Sequence, residues 1–479
     1  MNKKNLTWFT LGSLASSSLS FISIPIIAWV FPDADIGKVA LLVSASGLAT
    51  IFFSMGMDQS YTREFNETTD KATLLLNAAA PGTALMLVIG LIVLLLAPTA
   101  LSRLLFGEDS TALSAFIVAY LLVVLVSRFL TLNLRMEEDG KRYALSSLLA
   151  KLTFVGSVCF SYSKPSPALT DLLIAHGASV AVGLLFLLGA TLPTSRQLRW
   201  SKLDPRMQRQ LLAYGLPVAT SGLLFWGLEG VDKFLLRTFS SYSELGIYSI
   251  ALSISAMATV LTSMFTTVWI PVAYRWIARG EDLQRIDEIT RHVLAGALIL
   301  VGLTGSLSWL LEYVLPAKHS VVQDIIPACM LWPILYAVSE TTGLGIAVNR
   351  ATRAGLFAAG TALCTNVAMN LLLLPSFGSR GAAAALAASI WIFFFMKTEI
   401  SHRTWRKTPR RELYAWTSAT LMLAIAHALA GAKLGHWLDL AWGLFLIVAA
   451  VSFRISIFFG ARTIRSVLSR GNGNLPNGG

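Results

Sequence analysis

Three ionisable residues stand where a helix in lipid tolerates charge least. Arg128 lies in the apolar run 111–134, Lys151 in 143–162 and Glu340 in 322–347. A charge at the bilayer centre costs roughly 2.5–3.5 kcal/mol on insertion scales, so each needs a reason. Arg128 precedes Arg135 by seven residues, and Lys151 stands about eight residues into the next run from the same side. At about 1.5 Å per residue both are roughly 10–12 Å deep on consecutive helices. Two such cations repel unless an anion lies between them. A diphosphate fits, because Arg gives forked contacts to phosphate oxygens and Lys a point charge. Long side-chain stems also allow both to snorkel to the headgroups, and that alternative stays open.

Glu340 belongs to Ser339-Glu340-Thr341-Thr342-Gly343-Leu344-Gly345, a polar, glycine-containing stretch that ends at Asn349-Arg350. It falls about 15 Å from that end. Irregular backbone at such depth lines a cavity rather than lipid, so Glu340 is a candidate for pairing with a cation of the other lobe or for taking up a proton. A neutral Glu packed between helices is the alternative. Asn366 and Asn370, four apart on one helix face, can meet sugar hydroxyls or tie helices together. Asp232 lies beside Glu229 and Lys233, which are themselves spaced as an i, i+4 pair. Asp58, Arg63 and Glu64 close the second apolar run and are either a gate or a solvated helix end. No hydrolase triad, Walker loop or metal cluster appears at workable spacing, so the expectation is a non-enzyme without cofactor or metal.

The elements that must position these residues are read from composition. The chain has 479 residues, 55% hydrophobic and 13% charged, with mean hydropathy +0.65. Soluble proteins carry roughly a quarter charged residues, so an ordinary cytosolic protein is excluded. Apolar windows of about 20 residues predict fourteen membrane helices. They cover 8–30, 37–57, 73–98, 111–134, 143–162, 169–192, 210–236, 245–270, 289–313, 322–347, 354–375, 380–397, 412–431 and 437–458. Of the 38 Lys and Arg, 27 fall at the two termini and on alternate loops near 63–71, 135–142, 196–209, 275–291, 350–353 and 397–411, against 8 on the opposite loops. That bias predicts both termini in the cytoplasm. The net charge of +12 is thereby a topology signal, and nucleic acid is not an expected partner.

An internal repeat organises the spans. At an offset of 209, Ile36–Met55 matches Leu245–Met264 at seven of twenty positions, Gly37/Gly246, Ser46/Ser255 and Ala49/Ala258 among them. It sets the second span on the eighth, as in two six-span lobes related about the membrane normal. The expected fold is all-α, a polytopic membrane protein of about 14 helices in two pseudo-symmetric six-helix lobes plus two C-terminal helices. The lobes cover 1–195 and 210–398. A cytoplasmic linker, 196–209, is expected to lie on the anionic leaflet. Helices 13 and 14 occupy 399–460, and a disordered tail 461–479.

Several stretches carry a family resemblance: Tyr214-Gly-Leu-Pro217, Val231-Asp-Lys-Phe-Leu-Leu236, Leu245-Gly-Ile-Tyr-Ser-Ile-Ala251, and Asn366-Val-Ala-Met-Asn370 followed by Leu374-Pro375, Gly378 and Gly381-Ala-Ala383. With Ala34-Asp-Ile-Gly37 and Gly56 to Arg63, the chain resembles the lipid-linked oligosaccharide (O-antigen, polysaccharide export) flippases of the multidrug/oligosaccharidyl-lipid/polysaccharide exporter superfamily. The resemblance implies transfer of an undecaprenyl-diphosphate-linked repeat unit from the cytoplasmic to the periplasmic leaflet of the bacterial inner membrane by alternating access. It implies membrane lipid as surroundings, and polymerase and chain-length proteins of the same pathway as partners. It also makes Asp232 worth testing. A cation-coupled multidrug exporter of the same superfamily is the nearest alternative, though two cations among the deepest charges disfavour a cationic drug. A membrane glycosyltransferase or polymerase is the second, and it lacks the long extramembrane loop such enzymes need.

Overall fold

A computed structural model describes residues 3–192, 199–281 and 283–456, and every element among them is helical. The chain divides into two compact units, Met1–Ile250 and Ala251–Gly479. Among the described residues twelve helices are long and apolar enough to cross a membrane. This is a multi-pass membrane protein.

The first unit contains α1 (Lys3–Val30), α2 (Asp33–Ser54), α3 (Met57–Glu64), α4 (Lys71–Leu96), α5 (Ala100–Phe106), α6 (Thr111–Met136), α7 (Gly140–Tyr162), α8 (Leu169–Ala190) and α9 (Pro205–Phe239), then the start of α10 (Tyr242–Ala278). Helix starts are fixed by side-chain acceptors for first-turn N–H groups that have no partner within the helix. Asp70 accepts the Thr73 N–H ahead of α4, Ser110 that of Leu113 ahead of α6, and Asp139 that of Arg142 ahead of α7. Asp204 caps α9, with Pro205 in the first helical position.

That cap changes the reading of the linker. Trp200–Lys202 form a single 3-10 turn, and Pro205–Arg209 are already the first turns of α9. Residues 196–198, like the tail 461–479, lie outside the described residues. Helices α9 and α10 have 35 and 37 residues. At about 1.5 Å per residue they exceed 50 Å, well beyond a hydrocarbon core of about 30 Å. The expected spans 210–236 and 245–270 are their middles.

Two breaks matter for the sites. Met55 and Gly56 both have left-handed φ (51° and 71°), which separates α2 from α3. A Cβ on Gly56 would sit 1.9 Å from the Gly215 carbonyl oxygen, so α3 and α9 touch there as backbone on backbone. The matched glycines of the repeat also meet. A Cβ on Gly37 would strike the Tyr242 carbonyl oxygen at 2.1 Å, and one on Gly246 the Asp33 carbonyl oxygen at 2.0 Å. Asp33 and Tyr242 are themselves 209 apart, so this contact is reciprocal, as between two symmetry-related copies.

The second unit contains the rest of α10, α11 (Gln284–Ser306), α12 (Val321–Thr342), α13 (Leu344–Val348), α14 (Thr352–Thr404), α15 (Arg411–Leu434) and α16 (His436–Ser452). Helix α14 has 53 residues and turns at Gly378 (φ 53°, ψ −129°). Its two parts cover the expected spans 354–375 and 380–397. Helix α16, an apolar helix of 17 residues, covers most of the expected fourteenth span.

Candidate functional site

In the first unit Arg128 is not an isolated cation. Its Nη2 donates to Asp58 Oδ2 at 3.0 Å and its Nε to the same oxygen at 3.3 Å. Eight residues separate Arg128 from the end of α6 at Met136, so the pair lies about 12 Å from that end. Asp58 is buried in the first turn of α3, where the positive end of the helix dipole favours a carboxylate. Gln59 Nε2 also donates to Oδ2 at 3.0 Å. Helix α3 is itself pinned. Ser60 Oγ donates to the Leu211 carbonyl (2.6 Å) and the Tyr61 hydroxyl to Asn133 Oδ1 (2.8 Å). Asp58 and Tyr61 on α3 thus hold Arg128 and Asn133 on α6. Arg63 is exposed and lies over the Tyr214 ring, 4.5 Å from its centroid; half-buried Glu64 is 3.7 Å from it.

Lys151, eleven residues after Gly140 and roughly 16 Å along α7, is half-buried and has no hydrogen bond or ion pair among the described residues. Beside it Phe154 packs on His176 of α8 at 4.5 Å between ring centroids. Among the described residues no hydrogen bond or ion pair joins Lys151 to Arg128. Asp232 is fully buried in α9, accepting the Tyr248 hydroxyl and the Lys233 N–H (2.8 Å). Lys233 Nζ donates to the backbone carbonyl of Glu229, so this link is not the side-chain pair that i, i+4 spacing offers.

In the second unit Glu340 has a partner that sequence reasoning missed. Lys397 Nζ lies 2.6 Å from Glu340 Oε1, with the two side chains only 16% and 17% exposed. The ammonium stands 5.6 Å from both the Tyr336 and Phe393 rings, which are stacked on each other. Lys397 was expected in the loop 397–411, but α14 continues to Thr404 and keeps it in the helix. Contacts along α12, α13 and the second part of α14 hold a nearly constant separation. Asp324 pairs with Arg380 (2.5 Å), Thr342 with Thr398 (2.7 Å), and the Gly345 N–H with Ser401 Oγ (3.0 Å). Pairing at constant offset means that the two segments run parallel. Residues 352–377 must therefore return across the unit between them. A signal for Lys397 does exist in the sequence: Tyr336/Glu340 and Phe393/Lys397 are both aromatic–charge pairs at i, i+4.

Asn366 and Asn370 are fully buried. Asn370 Nδ2 donates to Asn366 Oδ1 (3.0 Å), and Asn366 Nδ2 to Ser389 Oγ (3.3 Å), which ties the two parts of α14 together. A further buried amide, Asn77, was also missed. It donates to the Lys202 carbonyl (3.1 Å) and accepts the Asp204 N–H (2.8 Å), anchoring the chain that enters α9. Next to it, hydrogen bonds from Lys202 and then from the Thr73 N–H and hydroxyl hold the Asp70 carboxyl down at about 2. Among the described residues no group of three His, Cys, Asp or Glu is arranged to hold a metal ion.

Residues 3–276 match the family described as polysaccharide biosynthesis protein. The chain belongs to that family. No curated protein matches it. Among solved structures this polysaccharide biosynthesis protein is similar to the lipid II flippase MurJ in an inward closed conformation, with TM-score 0.67 and 12% identity over 96% of this chain and 99% of that one. It is also similar to an inward-facing multidrug resistance MATE transporter of the MOP superfamily (TM-score 0.53, 14% identity, 81% and 94% covered). The Vibrio cholerae MATE transporter VcmN is a comparable match (TM-score 0.52, 14% identity, 84% and 96% covered). The family member therefore has a fold shared by flippases and transporters.

Proposed function

We propose that this protein is a flippase that moves an undecaprenyl-diphosphate-linked oligosaccharide, an O-antigen or exopolysaccharide repeat unit, from the cytoplasmic to the periplasmic leaflet of the bacterial inner membrane. Alternating access of the two six-helix lobes, 1–195 and 210–398, moves it without covalent chemistry. Both termini are cytoplasmic in this reading, as the Lys/Arg bias supports.

One observation carries the proposal: the first unit retains cationic donor capacity at membrane depth. Lys151 has no anionic partner among the described residues, and Arg128 is 44% exposed with donors to spare. A cation left without an anion in lipid is costly, and a substrate that brings its own phosphates removes that cost. Arg128 and Lys151 take the diphosphate in turn as it passes. Asp232 belongs to the cycle as a coupling group, Glu340, Asn366 and Asn370 to the frame of the cavity wall, and Arg63 and Glu64 to the cytoplasmic gate. A cationic drug would be repelled by the same two side chains, which favours the lipid-diphosphate reading over multidrug export.

The test is in cells. Replacing Arg128 and Lys151 with Gln is expected to abolish surface polysaccharide while the protein remains inserted at normal abundance. Normal polysaccharide in that double variant would overturn the assignment.

A further inference from the structure

The Asp58–Arg128 contact uses only one edge of the guanidinium. Both hydrogen bonds, from Nε and Nη2, end on the single oxygen Oδ2. A guanidinium carries five N–H donors in a rigid fork. The end-on edge, formed by Nη1 and the second Nη2 hydrogen, has no partner among the described residues, and the side chain is 44% exposed while its carboxylate partner is 11% exposed. The carboxylate is held in turn by Gln59 and by α3, which Ser60 and Tyr61 fix to Leu211 and Asn133. The covered edge thus faces a rigid support and the uncovered edge is open.

We infer that Asp58 is a positioning residue: it fixes Arg128 so that the free guanidinium edge receives two oxygens of a prenyl diphosphate. This rests on the proposed reading of Arg128 as a phosphate contact and adds how that contact is oriented. A flexible arginine in the same place would lose side-chain freedom on binding, whereas one already fixed does not. The opposite arrangement, in which Asp58 competes with phosphate for Arg128, requires the carboxylate to occupy the open edge.

The experiment uses the full chain in detergent and farnesyl diphosphate as the probe. Arg128→Gln is expected to weaken binding by at least about tenfold. Asp58→Ala is expected to weaken it to a similar degree, while Asp58→Asn, which keeps an acceptor oxygen in place, stays within about threefold of the parent. Because Asp58 acts only through Arg128, Asp58→Ala adds nothing further in the Arg128→Gln background. Tighter binding in Asp58→Ala and Asp58→Asn would overturn the inference in favour of competition. An equal loss from Asp58→Ala with and without Arg128 would overturn it in favour of a general packing role. If Arg128→Gln binds like the parent, the phosphate reading itself fails, a result separate from either of these.

Discussion

In each unit an ion pair joins a charge inside a long apolar helix to a second element, and the two pairs are built differently. In the first unit the cation is on α6 and the carboxylate at a helix start, Asp58. In the second the carboxylate is on α12 and the cation, Lys397, on α14. Helices α6 and α12 are the fourth and tenth expected spans, six apart, yet the sign of the charge they carry is reversed. Exposure differs as well: Arg128 is 44% exposed, whereas Glu340 and Lys397 are 17% and 16%. The second pair is closed, with its ammonium shared among a carboxylate and two aromatic faces. The first has a donor edge unspent. A closed pair fixes helices and an open one can bind, so we assign recognition to the first unit and framing to the second.

The largest expected effect is on the closed pair. Removing one partner of a buried ion pair typically costs about 3–5 kcal/mol, so Lys397→Met should sharply lower the thermal midpoint in detergent. Exchanging the two charges, Glu340→Lys with Lys397→Glu, should recover most of it. Stability unchanged in Lys397→Met would break the contrast, since it would make the second pair as loosely held as the first.

An intermediate effect is expected at the open pair. Arg128→Gln leaves Asp58 buried but still bonded to Gln59 and beside Ser54. Its loss of stability should be about 1–2 kcal/mol, smaller than for Lys397, although it removes a diphosphate contact. Thermal unfolding of both variants side by side measures the difference.

The smallest effect lies at the surface. Asp70 titrates at about 2 in the folded protein because of Lys202 and Thr73, against an ordinary value of 3.8. A depressed carboxylate stabilises the fold fully above its unfolded value and loses that contribution as pH falls through the folded value. The parent and Asp70→Asn should therefore differ slightly in thermal midpoint at pH 6 and converge as the pH falls from about 4 to 2. Equal midpoints throughout would show that the Lys202 contact holds nothing.

The contrast between the pairs also marks how far the sequence could be read. Arg128 and Glu340 were legible because a charge interrupts an otherwise apolar run. Their partners were not. Asp58 and Lys397 sit at the margins of hydropathy windows, where a charge looks like a helix end or a loop, and their distances in sequence, 70 and 57 residues, are set by tertiary packing. Helix extents show the same limit. The apolar windows of α9 and α10 end where lipid ends, but the backbone hydrogen bonds continue through Pro205–Arg209 and to Ala278. Hydropathy reports the solvent, not the helix. The Asn366/Asn370 face was visible from spacing alone, while Ser389, which binds it, required the turn at Gly378 to return the chain.

Transport by the purified protein shows whether Arg128 and Lys151 carry the diphosphate across. Proteoliposomes would carry an undecaprenyl-diphosphate-linked sugar, with its appearance in the outer leaflet followed by a membrane-impermeant lectin. Parent protein and the Glu340→Lys/Lys397→Glu exchange should both expose the sugar. The Arg128→Gln/Lys151→Gln variant should not. Exposure by that variant at the parental rate would show that neither side chain is needed for transfer.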